Sequence, residues 1–348
     1  MAEKTLEQQL AEARAIADSR DAEIKRARRA EGKAMAEVER LEKRLQMANS
    51  IRKADLNTPA WLAPKVSRRS AAHRAMPVLM LSDLHLDEVV DPREMDNMNA
   101  YDREIAQQRL ERVVNGTVDQ LTRYFTGVSY DGLIVALLGD ILTGDIHEEL
   151  AKTNEDAVPG SIVHWVPLIA SALTHLQAEL DVPVYVPCVD GNHDRSGKRI
   201  QYKRRAEESF AWIIYNWLAD HLRDNPNIRF EISESSELLF PVYDTNFLTV
   251  HGDAAKGGGG IAGLWPPLSR YVLKKQASYG SVGRPFDYAL MGHWHQWTIG
   301  ENFIVNGSLK GYDEYARGNG FKFQKPEQAL FLVTPERGIT QHTTIHGE

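Results

Sequence analysis

The stretch YVPCVDGNHD, Tyr185 to Asp194, decides the reading of this chain. The run Val184 to Val189 is short, apolar and largely β-branched, the pattern of a buried strand. It breaks at Gly191 into Asn192, His193 and Asp194. An amide, an imidazole and a carboxylate therefore stand side by side just past a strand end, where open α/β sheets bind ligands. Such a trio is suited to holding a metal with one residue and moving a proton with the next.

The same arrangement recurs on both sides of it. Pro77 to Leu81 leads into Ser82, Asp83, Leu84 and His85; Gly132 to Leu138 leads into Gly139 and Asp140. Phe247 to Val250 ends in His251, Gly252 and Asp253, and Tyr288 to Met291 ends in Gly292, His293, Trp294 and His295. Between these runs the spacing predicts helices over Asp102–Phe125, Ile162–Leu180 and Ala206–Leu222, and further strands at Phe303–Val305, Ala329–Thr334 and Ile339–Ile345. Strands alternating with helices give an α/β fold. The glycine run Gly257 to Gly260 opens an insertion reaching Pro285, read as flexible.

Five strand ends carrying metal-binding side chains are hard to obtain by accident. Residues i and i+2 of an extended segment point the same way, so Asp83 with His85, and His293 with His295, would each face one ion. The donors are carboxylate, amide and imidazole, without thiolate. That set suits Mn²⁺, Fe²⁺, Zn²⁺ or Mg²⁺ and disfavours a structural thiolate zinc site. Seven candidate ligands exceed the needs of one catalytic ion and fit two ions sharing a carboxylate, an arrangement used for in-line displacement at phosphorus.

Taken in order, SDLHLDE (82–88), LLGDILTG (137–144), DGNHD (190–194), VHGD (250–253) and MGHWHQ (291–296) resemble the five motifs of the calcineurin-like metallophosphoesterase superfamily, over roughly residues 77–310. The resemblance implies a two-sheet α/β sandwich flanked by helices, with its site at the strand ends. It implies that Asp83, His85, Asp140 and His295 hold a first ion, and that Asp140 bridges to a second completed by Asn192, His251 and His293. His193 would face the substrate and protonate the leaving oxygen. Asp194, next in sequence, is expected to orient that ring. The implied reaction is hydrolysis of a phosphoester by metal-activated hydroxide, with two divalent ions as cofactors and Mn²⁺ the first choice.

The substrate class is argued from the surroundings. Arg195, Lys198, Arg199, Lys203, Arg204 and Arg205 form a basic cluster directly after the central motif, as a phosphate-rich substrate would require. Trp265, Tyr271 and Tyr279 in the insertion either stack bases or pack in the core; with them the cluster favours a phosphodiester, DNA or RNA included, as in the DNA-repair nucleases of this superfamily. The alternatives are a small-molecule phosphatase or cyclic-nucleotide phosphodiesterase, and a catalytically silent scaffold of the same fold. His147 and Glu148 are read as an exposed helix start, Asp87 and Glu88 as solvated loop, and Asn306 to Ser308 as a rim loop. For Asp253 a supporting contact and plain solvent exposure stay open.

The whole chain sets the remaining bounds. It has 348 residues, a hydrophobic fraction of 43% and a net charge of −7, ordinary for a globular protein and not that of a dedicated nucleic-acid binder. Its one cysteine, Cys188, excludes an internal disulfide. No apolar run approaches the roughly 20 residues of a membrane span, and the N-terminal residues lack an apolar signal core, so a cytoplasmic protein is expected. Residues 1–48 read as one charged helix, with Leu6, Leu10, Ala13, Ala17, Val38, Leu41 and Leu45 as a narrow stripe. The stripe is either a coiled coil that makes a homo-oligomer or a solvated helix. Residues 49–75 read as a linker around Pro59 and Pro64, and 76–348 as the metallophosphoesterase domain.

Overall fold

Strand β1 (His73–Leu81) shows how the layers arise. Met76, Val78 and Met80 point to one side, and Ala75, Leu79 and Leu81 to the other, all buried. A strand apolar on both faces must lie between two layers. Burying each large apolar side chain contributes about 1.5–3 kcal/mol, so a one-residue slip that exchanged the two faces is strongly resisted. In this computed structural model the described residues are 73–257 and 263–348, with eight helical residues between Arg20 and Glu42.

The elements follow in chain order. They are β1, α1 (Arg103–Asp119), β2 (Val128–Tyr130), β3 (Leu133–Leu137), α2 (Glu148–Thr153), α3 (Val158–Leu180), β4 (Val184–Cys188), α4 (Phe210–His221) and β5 (Ile228–Ile232). Then come β6 (Glu237–Val242), β7 (Thr245–Val250), α5 (Trp265–Ser281), β8 (Tyr288–Met291), β9 (Thr298–Ile299), β10 (Phe303–Val305), α6 (Glu314–Gly318), β11 (Glu327–Thr334) and β12 (Gly338–His346).

Two mixed sheets result. The larger runs β12-β11-β1-β3-β4-β5, with β2 beside β1; the smaller runs β6-β7-β8-β10-β9. β1, β3, β4 and β5 are parallel, and so are β7, β8 and β10. The sheets pack through Met76, Val78, Ile134, Tyr185, Phe240, Phe247, Leu290 and Ile304. Helices α1, α3 and α4 cover the outer face of the larger sheet, and α5 covers that of the smaller. This is the expected α/β sandwich flanked by helices. Its parallel strands all deliver their C-terminal ends to one edge, and that edge carries the motifs.

Three boundaries differ from expectation. β1 begins at His73, inside the range read as linker. The helix expected from Ala206 begins only at Phe210, because Ser209 caps it by accepting from the Trp212 amide. The insertion read as flexible contains the 17-residue helix α5, whose Leu268 and Val272 pack on the smaller sheet. Gly258–Ala262 lie outside the described residues.

The chain divides into two units, Met1–Asn57 and Thr58–Glu348. In the first, the described residues are helical and the Met35 and Val38 side chains are exposed. The rest of the predicted stripe, and the linker residues 49–72, lie outside the described residues. No described helix is long and apolar enough to cross a membrane.

Candidate metal centre

Pairing of β1 with β3 continues past the strand ends. The Asp83 amide donates to the Gly139 carbonyl at 3.1 Å, His85 to Asp140 at 3.1 Å and Leu86 to Ile141 at 3.0 Å. The smaller sheet is joined on through the His293 amide, which donates to both Asp83 carboxylate oxygens at 2.9 and 3.0 Å. The two strand-end loops thus form one surface.

The local conformation is not the extended one expected. Asp83, His85, Asp140, His293 and His295 all have left-handed backbones, with φ of 51°, 46°, 50°, 69° and 53°. Such conformations are uncommon without glycine and cost on the order of 1–3 kcal/mol each. They turn both residues of Asp83-x-His85 and His293-x-His295 inward without a strand. Two glycines give the carboxylates room: a Cβ on Gly292 would lie 2.3 Å from Asp83 Oδ2, and one on Gly191 would lie 2.1 Å from Asp140 Oδ1.

All seven expected ligand residues converge, in two groups. In the first, donor atoms of Asp83, His85 and His295 lie within 4.8 Å of one another; in the second, those of Asp140, His251 and His293 do so. His85 Nε2 stands 3.1 Å from His295 Nε2, which is 3.3 Å from Asp83 Oδ1. His251 Nε2 is 3.0 Å from Asp140 Oδ2 and 3.1 Å from Asn192 Oδ1. Asp140 Oδ2 also lies 3.9 Å from His85 Nε2, which places this carboxylate between the groups.

The charges fit divalent cations. Burial pushes His85 well below the ordinary imidazole value, and burial with the neighbouring His251 charge pushes His293 down to about 4. These rings keep their lone pairs. Burial also lowers His251, but the Asp140 charge and hydrogen bond outweigh it and raise that ring to about 10. Burial raises Asp140, yet the surrounding imidazoles, His251 first, hold it well below the usual carboxylate range. The donor set is right for two divalent ions, with Asp83, His85 and His295 in one group and Asp140, His251 and His293 in the other. This convergence is what the resemblance of the five motifs to the calcineurin-like metallophosphoesterases implies.

No family model and no curated protein sequence matches the chain. Among solved structures it is similar to a predicted phosphoesterase of Streptococcus pneumoniae, at 10% identity and TM-score 0.28, over 78% of this chain and 98% of that one. It is similar to vacuolar protein sorting 29 of Cryptosporidium parvum at 10% identity and TM-score 0.30, over 78% and 98%. A dimetal phosphatase of Danio rerio matches at 11% identity and TM-score 0.31, over 78% and 99%.

His193 stands beside the first group. Its backbone amide donates to Asp140 Oδ1 at 2.7 Å, and its ring Nδ1 donates to the Thr143 carbonyl at 2.8 Å. The ring is half-buried, 4.7 Å from His85 between centroids, and burial lowers its pKa. The expectation that Asp194 orients this ring is corrected: the Thr143 carbonyl does so. Asp194 Oδ2 accepts from the Asp140 and Gly191 amides at 2.8 Å each, its Oδ1 has no partner among the described residues, and burial raises it to about 7. It ties the β3 loop to the β4 loop.

Several surroundings also differ from the sequence reading. Asp87 and Glu88, expected in a solvated loop, are buried. Asp87 accepts from Arg103 at 2.7 and 2.8 Å and from Trp165 at 2.9 Å. Glu88 accepts from Thr143 at 3.0 Å and from Lys310 at 2.7 Å, and Lys310 also pairs with Asp313 at 2.5 Å. Sequence reasoning missed Lys310: one lysine in an irregular loop carries no signal of burial. Asn306, expected on a rim, is buried and bonded to Ser82 and Gln328. Tyr271 is packed beside α5's core contacts, while Trp265 is largely exposed against Phe303. His147 is exposed, with its ring 5.6 Å from that of His193.

Half of the basic cluster is neutralised internally. Lys198 pairs with Glu148, Arg204 with Glu207 and Glu208, and Arg205 with Asp190 and Asp253. Among the described residues, Arg195, Arg199 and Lys203 form no ion pair.

Proposed function

We propose that the chain is a dinuclear metal-dependent phosphoesterase that hydrolyses a phosphodiester. The observation that carries the reading is the convergence of seven donor side chains from five strand-end loops on two adjacent donor groups. When bound, two divalent ions supply positive charge for the phosphoryl oxygens and lower the pKa of water.

The remaining chemistry belongs to the chain's own residues. Asp140 stands between the groups and keeps them in register. His193 has its Nδ1 proton committed to the Thr143 carbonyl, so Nε2 is the atom left to carry a proton to the leaving oxygen. The Asp140 carboxylate fixes the His193 backbone, which couples the proton carrier to the metal ligands. Arg195, Arg199 and Lys203 follow this loop directly and support an anionic substrate longer than one phosphate. They are also the ground for including nucleic acid.

The test compares a bis-aryl phosphodiester with an aryl monoester, each with Mn²⁺ and with chelator, and then single- and double-stranded DNA and RNA. Metal-dependent cleavage of the diester is expected. Cleavage of the monoester alone would replace the diester reading by a phosphatase. Inertness toward the whole panel would remove the enzyme reading. His193→Ala should keep both ions and lose about 10²–10⁴-fold in kcat; if that variant loses an ion, the assignment of roles is wrong.

A further inference from the structure

We infer that Arg205 is a positioning residue for the second donor group, holding the loop of Asn192 and the loop of His251 at the separation a metal ion requires. The inference rests on the two-ion reading above. Arg205 Nε donates to Asp190 Oδ2 at 2.7 Å, while its two terminal nitrogens donate to Asp253 at 2.9 and 3.1 Å. Asp190 lies two residues before Asn192 at the end of β4, in the larger sheet. Asp253 lies two residues after His251 at the end of β7, in the smaller sheet. One guanidinium thus ties the two sheets together beside the gap in which His251 Nε2 and Asn192 Oδ1 stand 3.1 Å apart.

Arg205 is set apart from the rest of its basic cluster. Its side chain is 11% exposed, against 61% for Arg204 and 62% for Lys198. The loop that carries it is closed at its base, where Arg195 bridges Ser209 and the Phe210 amide donates to the Asp194 carbonyl at 2.7 Å. That closure returns Arg205 to the centre. The planar fork is required, because it meets one carboxylate in two-point fashion and a second from Nε, which an ammonium point charge cannot do. Partners that orient metal ligands in this way typically govern affinity by 10–100-fold.

The experiment titrates Mn²⁺ into the metal-free full-length chain without substrate. Affinities are read stepwise, and electron paramagnetic resonance distinguishes the coupled two-ion signal from the isolated-ion signal. In Arg205→Gln the second ion should bind about 10–100-fold more weakly, the first within twofold of wild type, and the coupled signal should appear only at higher Mn²⁺. Arg205→Lys should fall between. If Arg205→Gln does not fold, Asp253→Asn removes the two-point half of the clamp and should give the same selective loss. Unchanged second-ion affinity in a folded variant overturns the inference. So does an equal weakening of both ions, which would mark a merely structural residue. A wild-type chain binding fewer than two ions overturns it together with the two-ion reading. Because substrate is absent, failure of hydrolysis alone bears only on the enzyme reading.

Discussion

The two donor groups are alike in chemistry and unlike in how they are held. In the second group, His251 donates its Nδ1 proton to the Leu138 carbonyl at 2.7 Å, so the backbone sets which nitrogen faces the centre. In the first, His85 Nδ1 has no hydrogen-bond partner among the described residues, and Glu88 Oε2 lies 3.5 Å away. That ring is held by packing, between His193 at 4.7 Å and His295 at 5.0 Å, with the Glu88 carboxylate beside it. Glu88 in turn is fixed by Lys310, which is buried and shared with Asp313. The second group's outer support is the Arg205 fork at the edge of the sandwich. A charge trio sealed in the interior cannot lose a member without endangering the fold, because the carboxylates left behind are buried and unpaired. A fork nearer the surface can be lost with relaxation and solvation, so its effect should fall on ligand geometry.

The largest expected effect tests the sealed trio. Lys310→Met leaves Glu88 and Asp313 buried without their cation and should cost about 3–5 kcal/mol, roughly 10 °C in Tm or more. A loss no greater than that of Arg205→Gln would erase the contrast between the groups. Next is removal of the metal. An ion at 100 times its Kd stabilises by about 2.7 kcal/mol, so chelation should lower the wild-type Tm. Arg205→Gln, its second site only partly filled at the same Mn²⁺ concentration, should show roughly 60–75% of that fall; an equal fall in both would unite the groups again.

The glycines sharpen the comparison at about 1–3 kcal/mol, the usual cost of overpacking. Gly292→Ala presses on Asp83 and should weaken the first ion selectively, whereas Gly191→Ala presses on Asp140, which stands between the groups, and should weaken both. Stepwise Mn²⁺ titration separates these outcomes, and a reversed pattern would contradict the placement of Asp140.

The smallest effect is a pH dependence. Burial raises the Asp313 carboxyl, but Lys310 outweighs it and holds the group below its ordinary value of 3.8. A carboxylate with a depressed folded pKa contributes stability above the ordinary value and loses it as pH falls through the folded value. The Tm gap between wild type and Asp313→Asn should therefore be full near neutral pH and narrow below about pH 4; a constant gap down to pH 2 would mean that the charge contributes nothing.

The fold was legible because its signals are local. Alternation in β1 places Met76, Val78 and Met80 opposite Ala75, Leu79 and Leu81, and the short motifs after apolar runs contain the residues of both candidate donor groups. The error over Asp194 also came from locality. Adjacent residues of a tight loop point apart, so the neighbour of His193 binds the Asp140 and Gly191 amides while Thr143, 50 residues away, holds the ring. Asp87 and Glu88 were misread because two carboxylates in a row resemble solvent-facing loop until their cations are known. Those cations come from elsewhere: Arg103 from α1, and Lys310 from 222 residues further on.

The sequence by itself determined the α/β class, the strand ends and the donor types of the candidate centre, because period-two burial and strand-end motifs are written within a few residues. Only the tertiary structure decided that five of the donors sit in left-handed backbones, that half of the basic run after Asp194 is spent on internal ion pairs, and that Arg205 turns inward. Those outcomes depend on which distant carboxylate or carbonyl meets each side chain once two sheets close on one another, and no local period records that.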